Sequence, residues 1–210
     1  MNEDIDNQAA GNYAYDALGN MIKDQQAGIT AIDWTPFGKI DRITAIKNKT
    51  IGFKYDALGN RVEKFTDING NMEKLYYLRD AQGNIMSTYK LKNGDLYLDE
   101  LYVYGSSRLG SLLVNKKIED LGGGLGNNTA GKKTYELNNH LGNVMMTISD
   151  ALKYMDSDGN GATDVTTASV SSAQDYYPFG MLMPGRNYSS NTYKFGFNGK
   201  ENDNEVMGIT

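Results

Sequence analysis

The segment Asp156-Ser-Asp158-Gly-Asn160-Gly161-Ala-Thr-Asp164 places side-chain oxygens at positions 1, 3, 5 and 9 of a loop whose sixth residue is glycine. Hard oxygen ligands at that spacing around a sharp glycine bend suit a calcium ion. Position 12, where a bidentate glutamate would complete the set, is Thr167, and no amphipathic helix flanks the loop. The competing reading is a solvated polar insertion, because residues 151–174 are rich in Ser, Thr, Asp and Gly. His140 is the only histidine, within Asn138-Asn139-His140-Leu141-Gly142-Asn143. A general base needs a nucleophile and an orienting partner, and no motif here supplies them, so His140 reads as a packed or turn-stabilising residue. The stretch from Gly122 to Asn128 has the glycine content of a phosphate loop but lacks a Gly-Lys-Ser/Thr ending and a following apolar helix. It reads as a flexible loop. With no cysteine in the chain, disulfides, thiolate metal sites and cysteine nucleophiles are excluded.

The elements that must carry these residues follow from composition and pattern. A chain of 210 residues can form one large domain or two small ones. Its 21 basic residues are scattered and its net charge is −5, which gives no support for a nucleic-acid surface. No apolar run approaches the roughly 18 residues of a membrane span, and the acidic N-terminus does not have the pattern of a secretory signal. With 24 Gly, 15 Tyr and 3 Pro, the expectation is many short strands joined by tight glycine turns, without long helices.

The hexapeptide Tyr-Asp-Ala-Leu-Gly-Asn occurs twice, at Tyr15-Asp16 to Gly19-Asn20 and at Tyr55-Asp56 to Gly59-Asn60. Ahead of the second copy, Ile51, Phe53 and Tyr55 alternate with Gly52 and Lys54, the period of two of a half-buried strand; Arg61 to Phe65 reads as the returning strand. Between them, Asp56 can accept backbone N–H groups two residues on, Ala57 and Leu58 fit the centre of a type I turn, and Gly59 can take the left-handed position that closes a hairpin. Degenerate copies are Asp67 to Asn71, Asp80 to Gly83-Asn84, and Asn139 to Gly142-Asn143. Further strands are predicted at 39–46, 71–78, 84–91, 96–104, 109–115, 132–137 and 144–149. The loose spacing of the turns predicts a ribbon of successive hairpins rather than a strict solenoid.

The paired Tyr-Asp and Gly-Asn residues resemble the repeat of RHS/YD-repeat proteins. The second half resembles the RHS repeat-associated core of the Bacteroidetes-type branch, in "NHLGNVMMTISD" from Asn139 and in "DYYPFGMLMPGRNYSSNTYKFGFNGKENDNEV" from Asp175. The matching core positions are Tyr177, Pro178, Phe179, Gly180, Pro184, Gly185, Arg186, Asn198, Gly199, Lys200 and Glu201. The resemblance implies an all-β fold in which antiparallel hairpins form a curved, spiralling sheet, part of a β-shell enclosing a C-terminal effector, often a toxin used between competing bacteria. Its division would be a hairpin array at 1–137 and the start of the core at 138–210, with the polar insertion at 151–174. The core would pack against the shell, burying Tyr176 to Arg186, and Arg186 and the Asn198–Glu201 turn would orient it through hydrogen bonds. In the family a downstream Asp-Pro segment allows self-cleavage. The sequence stops at Thr210 without an Asp-Pro, so neither that segment nor an effector is expected in it, and the chain is expected to be non-catalytic.

The partners so implied are the rest of a longer shell and its effector, in a secreted or cell-surface setting, with no nucleic acid, no membrane span and no cofactor beyond the calcium alternative. A rival reading is an adhesion module whose exposed tyrosines stack on carbohydrate. Cutting a ribbon leaves unpaired strand edges, so association of the isolated segment is expected.

Overall fold

The computed structural model describes residues 9–125, 129–189 and 193–203. Fourteen strands pair in chain order in one antiparallel sheet that does not close on itself. They are β1 (Tyr13–Tyr15), β2 (Met21–Asp24), β3 (Ile29–Trp34), β4 (Ile40–Ala45), β5 (Lys49–Tyr55), β6 (Arg61–Ile68) and β7 (Asn71–Arg79), followed by β8 (Ile85–Lys92), β9 (Asp95–Tyr104), β10 (Arg108–Lys117), β11 (Lys133–Asn138), β12 (Val144–Met155), β13 (Val165–Tyr176) and β14 (Leu182–Ser189). Among the described residues the helical pieces are two 3-10 segments, Ile118–Gly123 and Phe197–Gly199. The first covers the start of the glycine-rich stretch predicted as a flexible loop, and residues 126–128 of that stretch lie outside the described residues.

Two kinds of turn recur along this meander. At Asp16–Asn20 the N–H of Asp16 donates to the carbonyl of Asn20, and the N–H of Gly19 donates back to that of Asp16. The same pair of bonds closes Thr35–Lys39, Asp56–Asn60, Asp80–Asn84, Asn139–Asn143, Tyr177–Met181 and Gly196–Lys200. In each, the fourth residue is a glycine with φ between +61° and +96°, the left-handed region that a side chain would strain. The other turn carries two successive residues of positive φ, as at Lys47-Asn48 and Asn69-Gly70. Asp67–Asn71 therefore differs from the predicted degenerate copy: Ile68 pairs directly with Asn71, leaving only Asn69 and Gly70 in the turn, while Asp67 Oδ1 accepts the Gly70 N–H at 2.8 Å.

The described residues divide into two compact units, 9–97 and 98–203. The core of the first is Ile29, Ile32, Ile43, Ile51 and Phe53, with Met21, Trp34, Ile40 and Tyr55 against it. Gly52 faces Phe65 across β5 and β6, and a methyl group on Gly52 would come 2.1 Å from Cε1 of that ring. The glycine is thus the space the Phe65 ring fills. Glu63, nearly buried, takes Lys54 from the neighbouring strand at 3.2 Å and Lys74 at 3.8 Å. The 137/138 sequence boundary falls within the second unit, where β11 pairs with both β10 and β12.

The polar insertion predicted at 151–174 is shorter than expected. β12 continues to Met155 and β13 begins at Val165, with Leu152 paired to Ala168 and Tyr154 to Thr166. Only 156–164 is loop. Serine, threonine and valine satisfy a solvated ladder because their backbone groups pair across it and branched side chains tolerate the extended backbone.

Candidate functional site: a buried polar anchor

In the second unit the chain turns back after β14, and residues 193–202 form a small hairpin of their own. The Asn202 N–H donates to the Lys194 carbonyl at 2.7 Å, Phe195 bridges Glu201, and the Gly196–Lys200 turn closes the tip. The anchor that holds it comes from β9, β10 and β11. Arg108, its side chain largely buried, donates from Nε to Glu136 Oε1 and from Nη2 to the Gly199 carbonyl at 3.2 Å. Its guanidinium carbon lies 3.5 Å from the centroid of the Phe195 ring. The Tyr193 hydroxyl donates to the same Glu136 oxygen, and Asn138 reaches the other at 3.3 Å. The Glu136 side chain is 1 % exposed, and these donors replace the water it has lost.

A second ion pair fixes the next residue. Lys194 Nζ is 3.3 Å from Asp99 Oδ2 and 3.4 Å from Glu100 Oε1, while the Tyr102 hydroxyl donates to Glu100 Oε2 at 2.5 Å. Phe195 is wedged edge-on against Tyr102 at 5.6 Å, with Tyr193 at 5.7 Å.

The turn tip is held by other turns. Asn139 Oδ1 accepts the N–H groups of Leu141 and Asn143 at 3.0 Å each, closing its own loop. Asn143 in turn presents Oδ1 to the Asn198 N–H at 2.8 Å. Asp16, Asp56 and Asp80 make the equivalent bond to the third residue of their own turns. The Gly196 turn begins with a residue that has no such oxygen, and Asn143 supplies it from the neighbouring turn. Phe197 lies over Gly180, where an added methyl would come 2.6 Å from the ring, and packs against Tyr176 at 5.6 Å. Val144, fully buried, donates its N–H to the Gly196 carbonyl at 3.2 Å and accepts Gln174 and Tyr176 on its own carbonyl.

The protonation states follow from this packing. Burial pushes the Tyr176 hydroxyl up to about 12 and, with the Glu136 charge adding to it, holds that of Tyr193 far above its ordinary value. For Lys194, burial disfavours the charge, but Glu100, Asp99 and Glu201 outweigh it and raise the pKa. Arg108 is likewise raised against burial, by Glu136 and Tyr193. At neutral pH the anchor therefore holds its protons. Its groups bind one another, which fastens a polypeptide segment.

The sequence-predicted residues fall around this anchor unevenly. Gly142, Asn143, Asn198, Gly199, Lys200 and Glu201 come together in it. Arg186 instead pairs with Asp175 at 2.8 Å on the exposed face of β13 and β14. Of the stretch Tyr176 to Arg186 predicted to be buried, Tyr176 is half-buried against Phe197, but the rest is an exposed hairpin turn and strand, with Phe179 99 % exposed and Tyr177, Met181 and Leu182 uncovered. The physical reason is local, since Pro178 and Gly180 suit a turn closing β13 onto β14, and a turn points its centre to solvent. Tyr15, Asp16, Gly19, Asn20, Tyr55, Asp56, Gly59, Asn60, Gly83 and Asn84 belong to turns of the first unit. In these, Asn20, Asn60 and Asn84 bond to the aspartates through their side-chain amides, the main reason those carboxyls titrate below their ordinary value. His140 is exposed at its turn.

Arg108, Glu136, Asp99, Tyr193 and Lys194 were not predicted as site residues. The available signal was Asp99-Glu100, two adjacent acids inside an otherwise apolar strand. The calcium candidates Asp156, Asp158 and Asp164 do converge, with one oxygen from each within 4.8 Å of the others, all exposed. They are engaged by the loop itself: Asp156 accepts the Gly159 and Gly161 N–H groups at 2.7 Å each, and Asp164 accepts both the N–H and the hydroxyl of Ser157 at 2.8 Å. The Asn160 side-chain Oδ1 accepts the Ala162 N–H at 2.7 Å, and Thr167 lies in β13, paired with Lys153. The carboxylates suit calcium chemically, but position 12 contributes nothing.

No family model and no curated protein matches the chain. Among solved structures it is similar to the crystal structure of TcdB2-TccC3-Cdc42, at 15% identity over 87% of this chain and 8% of that one, with a TM-score of 0.55. It is similar as well to TcdB2-TccC3, at 14% identity, 85% and 8% coverage and a TM-score of 0.52. For TcdB2-TccC3 without its hypervariable C-terminal region the values are 15%, 87%, 8% and 0.52. The chain thus spans about 8% of the length of the chains it matches, and the likeness is one of fold.

Proposed function

We propose that this chain is a non-catalytic wall and core segment of an RHS/YD-repeat protein of the Bacteroidetes type, whose longer parent encloses or presents a C-terminal effector. The observation that carries this reading is the repetition of one glycine-closed turn along a chain-order meander, ending in a segment fastened by buried ion pairs. Such a build extends a surface by adding hairpins. Fold similarity to part of TcdB2-TccC3, a far longer chain, supports the same reading. The parent would act outside the cell or at its surface, and its partners are its own remaining hairpins and the effector.

Limited proteolysis of the natural, longer product tests the reading. Polypeptide beyond residue 210 should survive protease in the native product and be digested after unfolding in urea. Digestion at the same rate in both conditions would contradict it. A second reading, adhesion to carbohydrate, is favoured by the exposure of Tyr154, Phe179 and Tyr188. A glycan array separates the two, since wall material retains no sugar.

A further inference from the structure

The ion pair at Lys194 gathers more chemistry than fastening a hairpin requires. A primary amine stands against two carboxyl groups, with Nζ 3.3 Å from Asp99 Oδ2 and 3.4 Å from Glu100 Oε1. Separations of that order are those from which held groups react. The Asp99 side chain is 3 % exposed, and the buried rings of Tyr102 and Phe195 meet edge to face beside the pair. Bulk water is thereby kept from the Asp99 carboxyl. The two acids are placed for different tasks. Glu100 Oε2 accepts the Tyr102 hydroxyl at 2.5 Å, which fixes the carboxyl with Oε1 facing the amine. Glu100 is thus set to take a proton from Nζ, and Asp99 to be attacked by it. Burial works in the same direction, because it penalises the charge on the Lys194 amine.

We infer that Lys194 and Asp99 are a self-joining pair, whose side chains condense to an amide that ties the 193–202 hairpin to β9. Nζ passes a proton to Glu100 and, as a neutral amine, attacks Asp99 Cγ. A C–N bond forms, one Cγ–O bond breaks, and the departing oxygen leaves as water. An ammonium and a carboxylate thus give one amide and one water. Two of the three ammonium protons leave in that water, and Glu100 ends as it began. The step needs no oxidant and no second substrate. Lys194 is mostly the ammonium described above, so the reacting form is a minor one and the joining is a slow maturation of the folded protein. The water has a way out, since the Lys194 side chain is 32 % exposed. The bond joins positions 95 residues apart in a chain with no cysteine from which to make a disulfide. Closing so long a loop restricts the unfolded chain. Nothing in this chemistry depends on what the hairpins enclose.

Mass spectrometry tests the pair. The natural product carrying this segment is purified folded, held at neutral pH, unfolded in guanidinium and digested with trypsin, which cuts after Lys92, Arg108, Arg186 and Lys200. Peptides 93–108 and 187–200 are expected as one species, lighter than their sum by the mass of one water. Lys194 should remain uncut, and fragment ions should place the bond on Asp99. Lys194→Arg and Asp99→Ala should release unjoined peptides. In Glu100→Gln the joined species should accumulate about a hundredfold more slowly, the scale of a lost proton relay. A folded wild-type product that yields free 93–108 and 187–194 and no joined species would overturn the inference. A bond found on Glu100 would overturn Asp99 as the acceptor, and an unchanged rate in Glu100→Gln would overturn the relay.

Discussion

Glu136 is the residue on which most of the anchor converges. Replacing it with alanine leaves Arg108 buried beside Phe195 without a counter-charge, which is the costly way to break such a pair, about 3–5 kcal/mol. Urea denaturation of Glu136→Ala should show a loss of that order, and the double variant Arg108→Met, Glu136→Leu should recover much of it. Gly52→Ala makes the opposite kind of test, adding a methyl where the Phe65 ring already lies; overpacking predicts a loss of about 1–3 kcal/mol in the same measurement. These two residues also mark what could be read beforehand. The first-position aspartates and fourth-position glycines of the turns were legible because their chemistry is local. Arg108 and Glu136 are 28 residues apart, and no spacing rule connects them. Gly52 looked like an ordinary strand residue until its register set it opposite Phe65.

At the scale of elements, the hairpin of residues 193–202 and the Tyr176 side chain packed against it shift in the same direction. Tyr176 has its pKa raised from 10.0 to about 12, and Tyr193 and Lys194 are raised as well. A folded-state pKa above the unfolded value means stability that is complete below the unfolded pKa and lost as pH climbs through the folded one. The second unit should therefore hold its melting temperature up to about pH 10 and lose it progressively toward pH 12, with tyrosinate absorbance appearing as it melts. Half-ionisation of Tyr176 and Tyr193 at their ordinary value of 10.0, with no change in melting, would contradict the packing. The 156–164 loop closes on its own hydrogen bonds, so calorimetry is expected to show no calcium heat at about 1 mM; a sub-millimolar isotherm would make the loop a cation site. Strands with alternating apolar residues were legible, whereas β3, β13 and β14 were missed. β13 is mostly serine, threonine and alanine, and its pairing rather than its composition makes it a strand. The turns at Thr35 and Tyr177 escaped because they lack the Asp and Asn that flag the others, and the last turn, read at Asn198–Glu201, begins two residues earlier at Gly196; each keeps its fourth-position glycine.

For the molecule as a whole, the chain-order meander was visible in the sequence, because hairpin follows hairpin with turn signals between them. Its division into compact units near residue 97 was not, since no linker or composition change marks that point. What the hairpins enclose depends on polypeptide outside this sequence, and the account makes a direct claim about it. The decisive measurement is the structure of the natural longer product by cryo-electron microscopy. The account predicts that residues 9–203 continue without a break into further hairpins of one sheet, with the downstream polypeptide inside the wall. A segment standing free as its own domain, with the downstream polypeptide folded outside it, would contradict the account.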